Sequence, residues 1–122
     1  RDAGAIAAAR ANAERAGVAQ AIEFRGGDAL QRKPPVERPG VMLLNPPYGE
    51  RIGEGGQKGM KSFFHALGTS LGKWQSAGWK LALLAGNPAF ESAFGKKPMK
   101  RFDVWNGPIA CQLLQYPSTT GR

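Results

Sequence analysis

The chain has one cysteine, Cys111, and one histidine, His65, in 122 residues. A lone cysteine excludes an internal disulfide and any cysteine-based metal cluster, and a lone histidine gives zinc no second imidazole. No metal is expected. Cys111 falls in an alternating apolar stretch and reads as a small core residue; His65 sits beside Phe63 and Phe64 in a helical pattern. No apolar run approaches membrane-spanning length and the N-terminus shows no signal peptide, so the expectation is no membrane and a cytoplasmic protein. Acidic residues are also scarce, with 9 Asp and Glu against 17 Lys and Arg, a formal net charge of +8. That excess suits a polyanionic partner, with phosphates the simplest. The basic residues gather as Arg32-Lys33, Lys58 with Lys61, and Lys96, Lys97, Lys100 and Arg101, in expected loops and helix ends. Such groups position a nucleic-acid backbone; sequence has to be read elsewhere.

Hydrophobic periodicity predicts a helix over 3–16, with Asp2 as N-cap, Ile6, Ala9, Ala13 and Ala16 along one stripe, and Gly17 as the stop. Ile22 and Phe24 alternate with Glu23 and Arg25 as a short strand, and Gly26-Gly27-Asp28 puts a carboxylate on a turn. A Pro-rich, charged loop over 31–40 leads into Val41-Met42-Leu43-Leu44, read as a buried strand. The stretch from Gly49 to Gly59 holds five glycines and suits a lid. Met60, Phe63, Phe64, Leu67, Leu71 and Trp74 predict a helix over about 58–75, followed by a second buried strand, 81–85, and a short helix closed by Gly95. A hairpin with its turn at Asn106-Gly107 ends the chain. Strands alternating with helices and ending in a hairpin define an α/β, three-layer fold.

Asn45-Pro46-Pro47-Tyr48 stands directly after the strand 41–44. Two prolines hold φ near roughly −65° and remove two backbone donors, leaving carbonyls with no competing N–H beside them. The Asn45 amide oxygen and the Pro46 carbonyl can accept both hydrogens of an exocyclic amine, while the Tyr48 ring stacks on its heterocycle. Such an amine shares its lone pair with the ring and attacks poorly. Acceptors that bind best as the nitrogen turns pyramidal favour the transition state over the ground state. The matching electrophile is a methyl sulfonium such as S-adenosylmethionine, which needs mainly in-line positioning. Asn, Pro and Pro are also common loop punctuation, but the position beyond a strand's carboxyl end is where open α/β sheets bind ligands.

From these residues the chain resembles the Rossmann-like, class I S-adenosylmethionine-dependent methyltransferase fold, entered partway through. The first helix resembles the segment after the family's second strand, Asp28 the acid that meets the cofactor's adenine, and Asn45-Pro46-Pro47-Tyr48 the catalytic motif after the fourth strand. With the run from Asn45 to Arg51 and the tail from Asn106 to Leu113, the chain is similar to the bacterial RNA guanine methyltransferases of 23S ribosomal RNA. Those methylate the 2-amino group of guanine and usually carry a THUMP domain. The resemblance implies Asp28, and less directly Asp2, at the cofactor, and ribosomal RNA as partner. RNA contacts would come from Arg51, Lys58, Lys96, Lys97, Lys100 and Arg101, although Arg51 could instead pair with Glu50 or Glu54. It also implies that residues 1–122 are the C-terminal part of a catalytic domain. In the family's sheet order, 3-2-1-4-5-7-6, strands one and two separate three from four, so an apolar sheet edge is expected to be exposed. The tetrapeptide is shared with DNA adenine and protein glutamine methyltransferases, and a non-catalytic nucleic-acid-binding remnant of the fold would carry the same charge. Those readings stay open, as does the oligomeric state.

Overall fold

The structure, a computed structural model, describes residues 3–35, 38–47 and 56–120, the side chains of 56–58 excepted. The chain forms two compact units, Arg1–Arg32 and Lys33–Arg122.

The N-terminal unit is built on α1 (Ala3–Ala16). Its end is a Schellman motif: Gly17, at φ 76°, donates to Glu14 O, and Val18 donates to Ala13 O. A positive φ there is what stops the helix at glycine. The expected stripe is only half realised, since Ala13 is buried and Ile6 half-buried, but Ala9 and Ala16 are exposed. Gly26 passes so close to Ile6 that a Cβ on it would lie 3.0 Å from the Ile6 side chain. The expected strand over 22–25 does not form. Ala19–Ala21 makes one turn of 3-10 helix, and Ile22 is extended (φ −123°, ψ 131°) but enters no ladder. Alternation sets which side chains point where, but a strand also needs a neighbour for its backbone groups, and none of the described strands pairs with this segment.

The C-terminal unit is a four-stranded sheet with two helices. Its strands are β1 (Val41–Leu44), β2 (Lys80–Ala85), β3 (Lys100–Asn106) and β4 (Ile109–Tyr116), in the order β1-β2-β4-β3. β1 and β2 run parallel; β4 is antiparallel to both β2 and β3. This is the order expected of strands four, five, seven and six. Between β1 and β2 runs α2 (Gly56–Ser76), two residues longer at its start than the sequence predicts, so its first turn uses the end of the glycine-rich stretch. α3 (Phe90–Phe94) follows β2 and closes on Gly95 at φ 78°, as expected.

Strand register puts Met42, Leu44, Leu81, Leu83, Leu114 and Tyr116 on one face. Phe64, Leu67, Leu71 and Trp74 of α2 are buried with them, at helical spacing. Rings join the layers: Phe64 meets Phe90 edge-on at 4.9 Å, Phe90 stacks on Phe94 at 4.9 Å, and Phe94 lies 5.1 Å from Tyr116. The helices pack without room to spare, because a Cβ on Gly68 would fall 2.2 Å from the Phe94 carbonyl oxygen. α2 ends in a second Schellman motif, with Gly78 at φ 98°, and the apolar contact that goes with it is Trp79 edge-on to Trp74 at 5.0 Å.

β1 is not the buried strand that its four apolar residues suggest. Its outer face is bare, with Val41 57% and Leu43 76% exposed, because period two sends these side chains away from the α2 face. β1 is also the edge strand of the described sheet. The closing hairpin forms, with its turn one residue later than read: Asn106 pairs Ile109, and the loop is Gly107-Pro108. Gly107 has φ 61° while proline is held negative, which selects a type II′ turn over type I′.

Tyr116 is buried and its hydroxyl has no hydrogen-bond partner. Burial pushes the phenol well above its ordinary 10.0, Glu91 adds in the same direction and Arg101 opposes. An unfolded tyrosine ionises first, so this contribution is complete below about pH 10 and is lost as pH rises above it. Tyr116→Phe should leave stability near neutral pH unchanged or raise it by about 1 kcal/mol, because an unpaired buried polar group is removed. The variant should also lose less melting temperature than the wild type between neutral pH and about pH 11. Melting curves at the two pH values check both.

Candidate functional site

Parallel β1 and β2 end at the same edge of the sheet, Leu44 level with Leu83. From that edge Asn45-Pro46-Pro47 leaves β1 with Asn45 exposed and Pro46 buried, so Pro46 anchors the segment and Asn45 remains within reach of solvent. Beside it, Gly86-Asn87-Pro88 leaves β2. The Asn87 side-chain oxygen accepts from the Ala89 amide at 2.8 Å, and the Asn87 backbone carbonyl accepts from Phe90 N–H at 3.0 Å. These two bonds form tight turns that lead the chain straight into α3, whose N-cap is Ala89. The tip of the β3–β4 hairpin reaches the same edge, since Gln112 pairs Ala85 and the strand continues back to Ile109. Three segments thus converge where ligands of α/β sheets bind. The sequence singles out the first; the second Asn-Pro pair reads as a helix flank, although it too follows an apolar strand. Tyr48, Arg51 and Asp2 lie outside the described residues, as does the Lys58 side chain.

Asp28 belongs to the N-terminal unit. Its carboxylate caps a 3-10 turn, Ala29–Gln31, by accepting from the Leu30 amide at 3.0 Å. Glu23, Arg25, Gly26, Gly27, Asp28 and Arg32 border a cavity of about 370 Å³, where the glycines leave room for a ring to approach a carboxylate acceptor.

The basic residues differ among themselves. Arg101, on β3, is held by Glu91 of α3 through Nε at 3.1 Å and through Nη2, and this hydrogen bonding raises its pKa. Lys96 lies half-buried, its Nζ 3.0 Å from where a Gly72 Cβ would stand. Lys97 and Lys100 are exposed. Against the RNA partner expected from the sequence, neutralising Lys97 and Lys100 in the whole protein should lower the salt slope of binding by roughly one unit for each of the two that meets a phosphate, and Arg101→Gln should lower it less because Glu91 already offsets its charge. Affinity measured against salt concentration distinguishes the two. Among the described residues no group of His, Cys, Asp and Glu could hold a metal, and no helix is long and apolar enough to cross a membrane.

The sequence pattern of the RMKL-like methyltransferase domain matches residues 1–115, and the chain belongs to that family. It is 41% identical over 120 residues to the ribosomal RNA large subunit methyltransferase K/L of Chromohalobacter salexigens, covering 97% of this chain and 16% of that protein. The chain thus spans about one sixth of that relative's length. The fold matches a possible methylase from Clostridium difficile 630 with a TM-score of 0.82 and 36% identity, over 96% of this chain and 30% of that one. It matches SMU.472 complexed with SAH with a TM-score of 0.85 and 25% identity, over 99% of this chain and 31% of that one. The expected class I methyltransferase fold is borne out.

Proposed function

We propose that this chain is the C-terminal part of a catalytic domain that transfers methyl from S-adenosylmethionine to the exocyclic 2-amino group of a guanine in large-subunit ribosomal RNA. The observation that carries the reading is Asn45-Pro46-Pro47 leaving a parallel strand at the carboxyl edge of the sheet, beside Gly86-Asn87-Pro88. The large-subunit RNA target is supported by the name of the Chromohalobacter relative, and the donor by the SAH bound to SMU.472.

The residues present fit the adenine end of the donor: Asp28 is an acceptor carboxylate on a glycine-lined turn beside a cavity of about 370 Å³. When bound, S-adenosylmethionine supplies a methyl on positively charged sulfur, whose C–S bond breaks toward sulfur as the new N–C bond forms. Asn45 Oδ1 and the Pro46 carbonyl accept the two amine hydrogens and draw the nitrogen toward pyramidal geometry, which returns its lone pair to the reaction axis. Tyr48 supplies a face for the base. No strong base is required, because a methylated, positively charged amine releases its proton readily to water.

The test is the methylated-guanosine content of large-subunit RNA from cells lacking the whole protein. One 2-methylguanosine should be missing, restored by the wild-type gene and not by Asn45→Ala. An unchanged RNA would overturn the target, and methyladenine lost from DNA instead would move the activity to the DNA adenine class.

A further inference from the structure

Trp105 is 72% exposed near the end of β3. Its partner across the ladder is Ala110, too small to cover an indole. On the same face, one step back along the hairpin, Gln112 Nε2 donates to Asp103 Oδ1 at 3.2 Å. These residues, with Asn87, Pro88 and Glu91, line a cavity of about 570 Å³. A lone exposed tryptophan needs no explanation. Here, however, the ring stands at a cavity of ligand size, on the sheet edge from which Asn45 departs.

The lining chemistry narrows the ligand. Asp103 carries negative charge, Glu91 is paired with the adjacent Arg101, and no lysine or arginine among the described residues lines the cavity, so it offers a phosphate no cation. With Gln112 Nε2 giving one of its two hydrogens to Asp103, that pair keeps two acceptors, Gln112 Oε1 and the second Asp103 oxygen, and one N–H donor on Gln112. A flat ring surface beside acceptors suits a heterocycle that carries an amino group. We propose that this cavity is a subsite for an unstacked nucleobase flanking the methylated nucleotide, stacked on Trp105 and held at its amino edge by Asp103 and Gln112. The inference rests on the ribosomal RNA reading above. Cytosine is the informative case, because its 4-amino group can donate to the Asp103 carboxylate while its ring N3 accepts the remaining Gln112 N–H, a donor–acceptor order that uracil presents reversed.

The experiment uses the whole protein with single-stranded oligo(C) and oligo(U) of equal length as probes. The wild type should bind oligo(C) more tightly. Trp105→Ala should weaken oligo(C) binding about 10-fold, the range of removing one base–aromatic stack. Asp103→Asn, which supplies an amide donor in place of one acceptor, should reduce the preference with a smaller loss of affinity. Neither should change the salt slope, since no cation that meets a phosphate is removed. Equal affinity for the two oligonucleotides, or wild-type binding by Trp105→Ala, would overturn the subsite. So would acrylamide failing to quench Trp105 in the RNA-free protein, which would show the indole covered by protein. Methyl transfer to ribosomal RNA is followed in the same preparations. Transfer without a cytosine preference sinks the subsite and leaves the catalytic reading, whereas the preference without transfer does the reverse.

Discussion

Asn45→Ala in the whole protein should lower the rate of methyl transfer by about a hundredfold or more, the cost typical of removing one donor or acceptor that works in the transition state. Affinity for S-adenosylmethionine should stay near wild type, because the Asn45 side chain is assigned to the acceptor amine, whereas the donor's adenine is assigned to Asp28. The fold should survive as well. Asn45 is exposed, and the neighbouring Pro46 is the residue whose burial anchors the segment. Single-turnover methylation with labelled donor separates these effects, with the chemical step slowed and the donor dissociation constant unmoved. A variant that turns over at near wild-type rate would remove Asn45 from the reaction, and one that loses donor binding would place it on the wrong side of the transferred methyl. Asn45→Asp sharpens the result, since it keeps an acceptor oxygen at the same position and should retain more rate than alanine.

Several elements of the fold, and the segment leaving β1, were legible because their signals are local. Asn45-Pro46-Pro47 follows an apolar run, Gly17 and Gly95 stop helices by positive φ, and the stripe from Phe64 to Trp74 follows the 3.6 period. What the sequence misstated depends on partners. Val41 and Leu43 read as buried because they are apolar, but burial of a strand face is decided by what packs on it, and these two side chains point away from the α2 face. Ile22 to Arg25 alternates like a strand yet pairs with none of the described strands. The Glu91–Arg101 ion pair joins residues ten apart across two elements, so no spacing rule links them, and it changes Arg101 from a free cation into a braced one. Asp28 shows a further limit: a carboxylate on a glycine-flanked turn is expected for adenine contact and for capping alike, and the structure puts the capping bond to Leu30 in plain view. Trp105 reads as one more β-forming residue, since nothing in the sequence shows that Ala110 stands opposite it.

Gly68→Ala should destabilise the C-terminal unit by about 2 kcal/mol or more, and the sign is the informative part. Helix propensity alone favours alanine over glycine by about 1 kcal/mol in a helix interior. Against this, the new Cβ would sit 2.2 Å from the Phe94 carbonyl oxygen and 3.1 Å from its carbon, and neither is the movable end of a side chain. α2 and α3 would have to separate, breaking into the Phe64, Phe90 and Phe94 ring contacts; overpacking of this kind costs about 1 to 3 kcal/mol and sometimes more. The control lies one turn further along the same helix. At Gly72 a new Cβ would meet Lys96 Nζ at 3.0 Å, the free end of a flexible chain that can swing away, so Gly72→Ala should be neutral or stabilising. Hydrogen exchange of the amides in α2 and α3 of the whole protein reads both variants locally. Faster exchange in Gly68→Ala, with unchanged or slower exchange in Gly72→Ala, is the expected pattern. Equal behaviour of the two would mean that the helices tolerate a wider crossing. Because α3 carries Glu91, a shift of that helix should also release Arg101, and the salt slope of RNA binding in Gly68→Ala should then rise toward that of a protein with one more free cation.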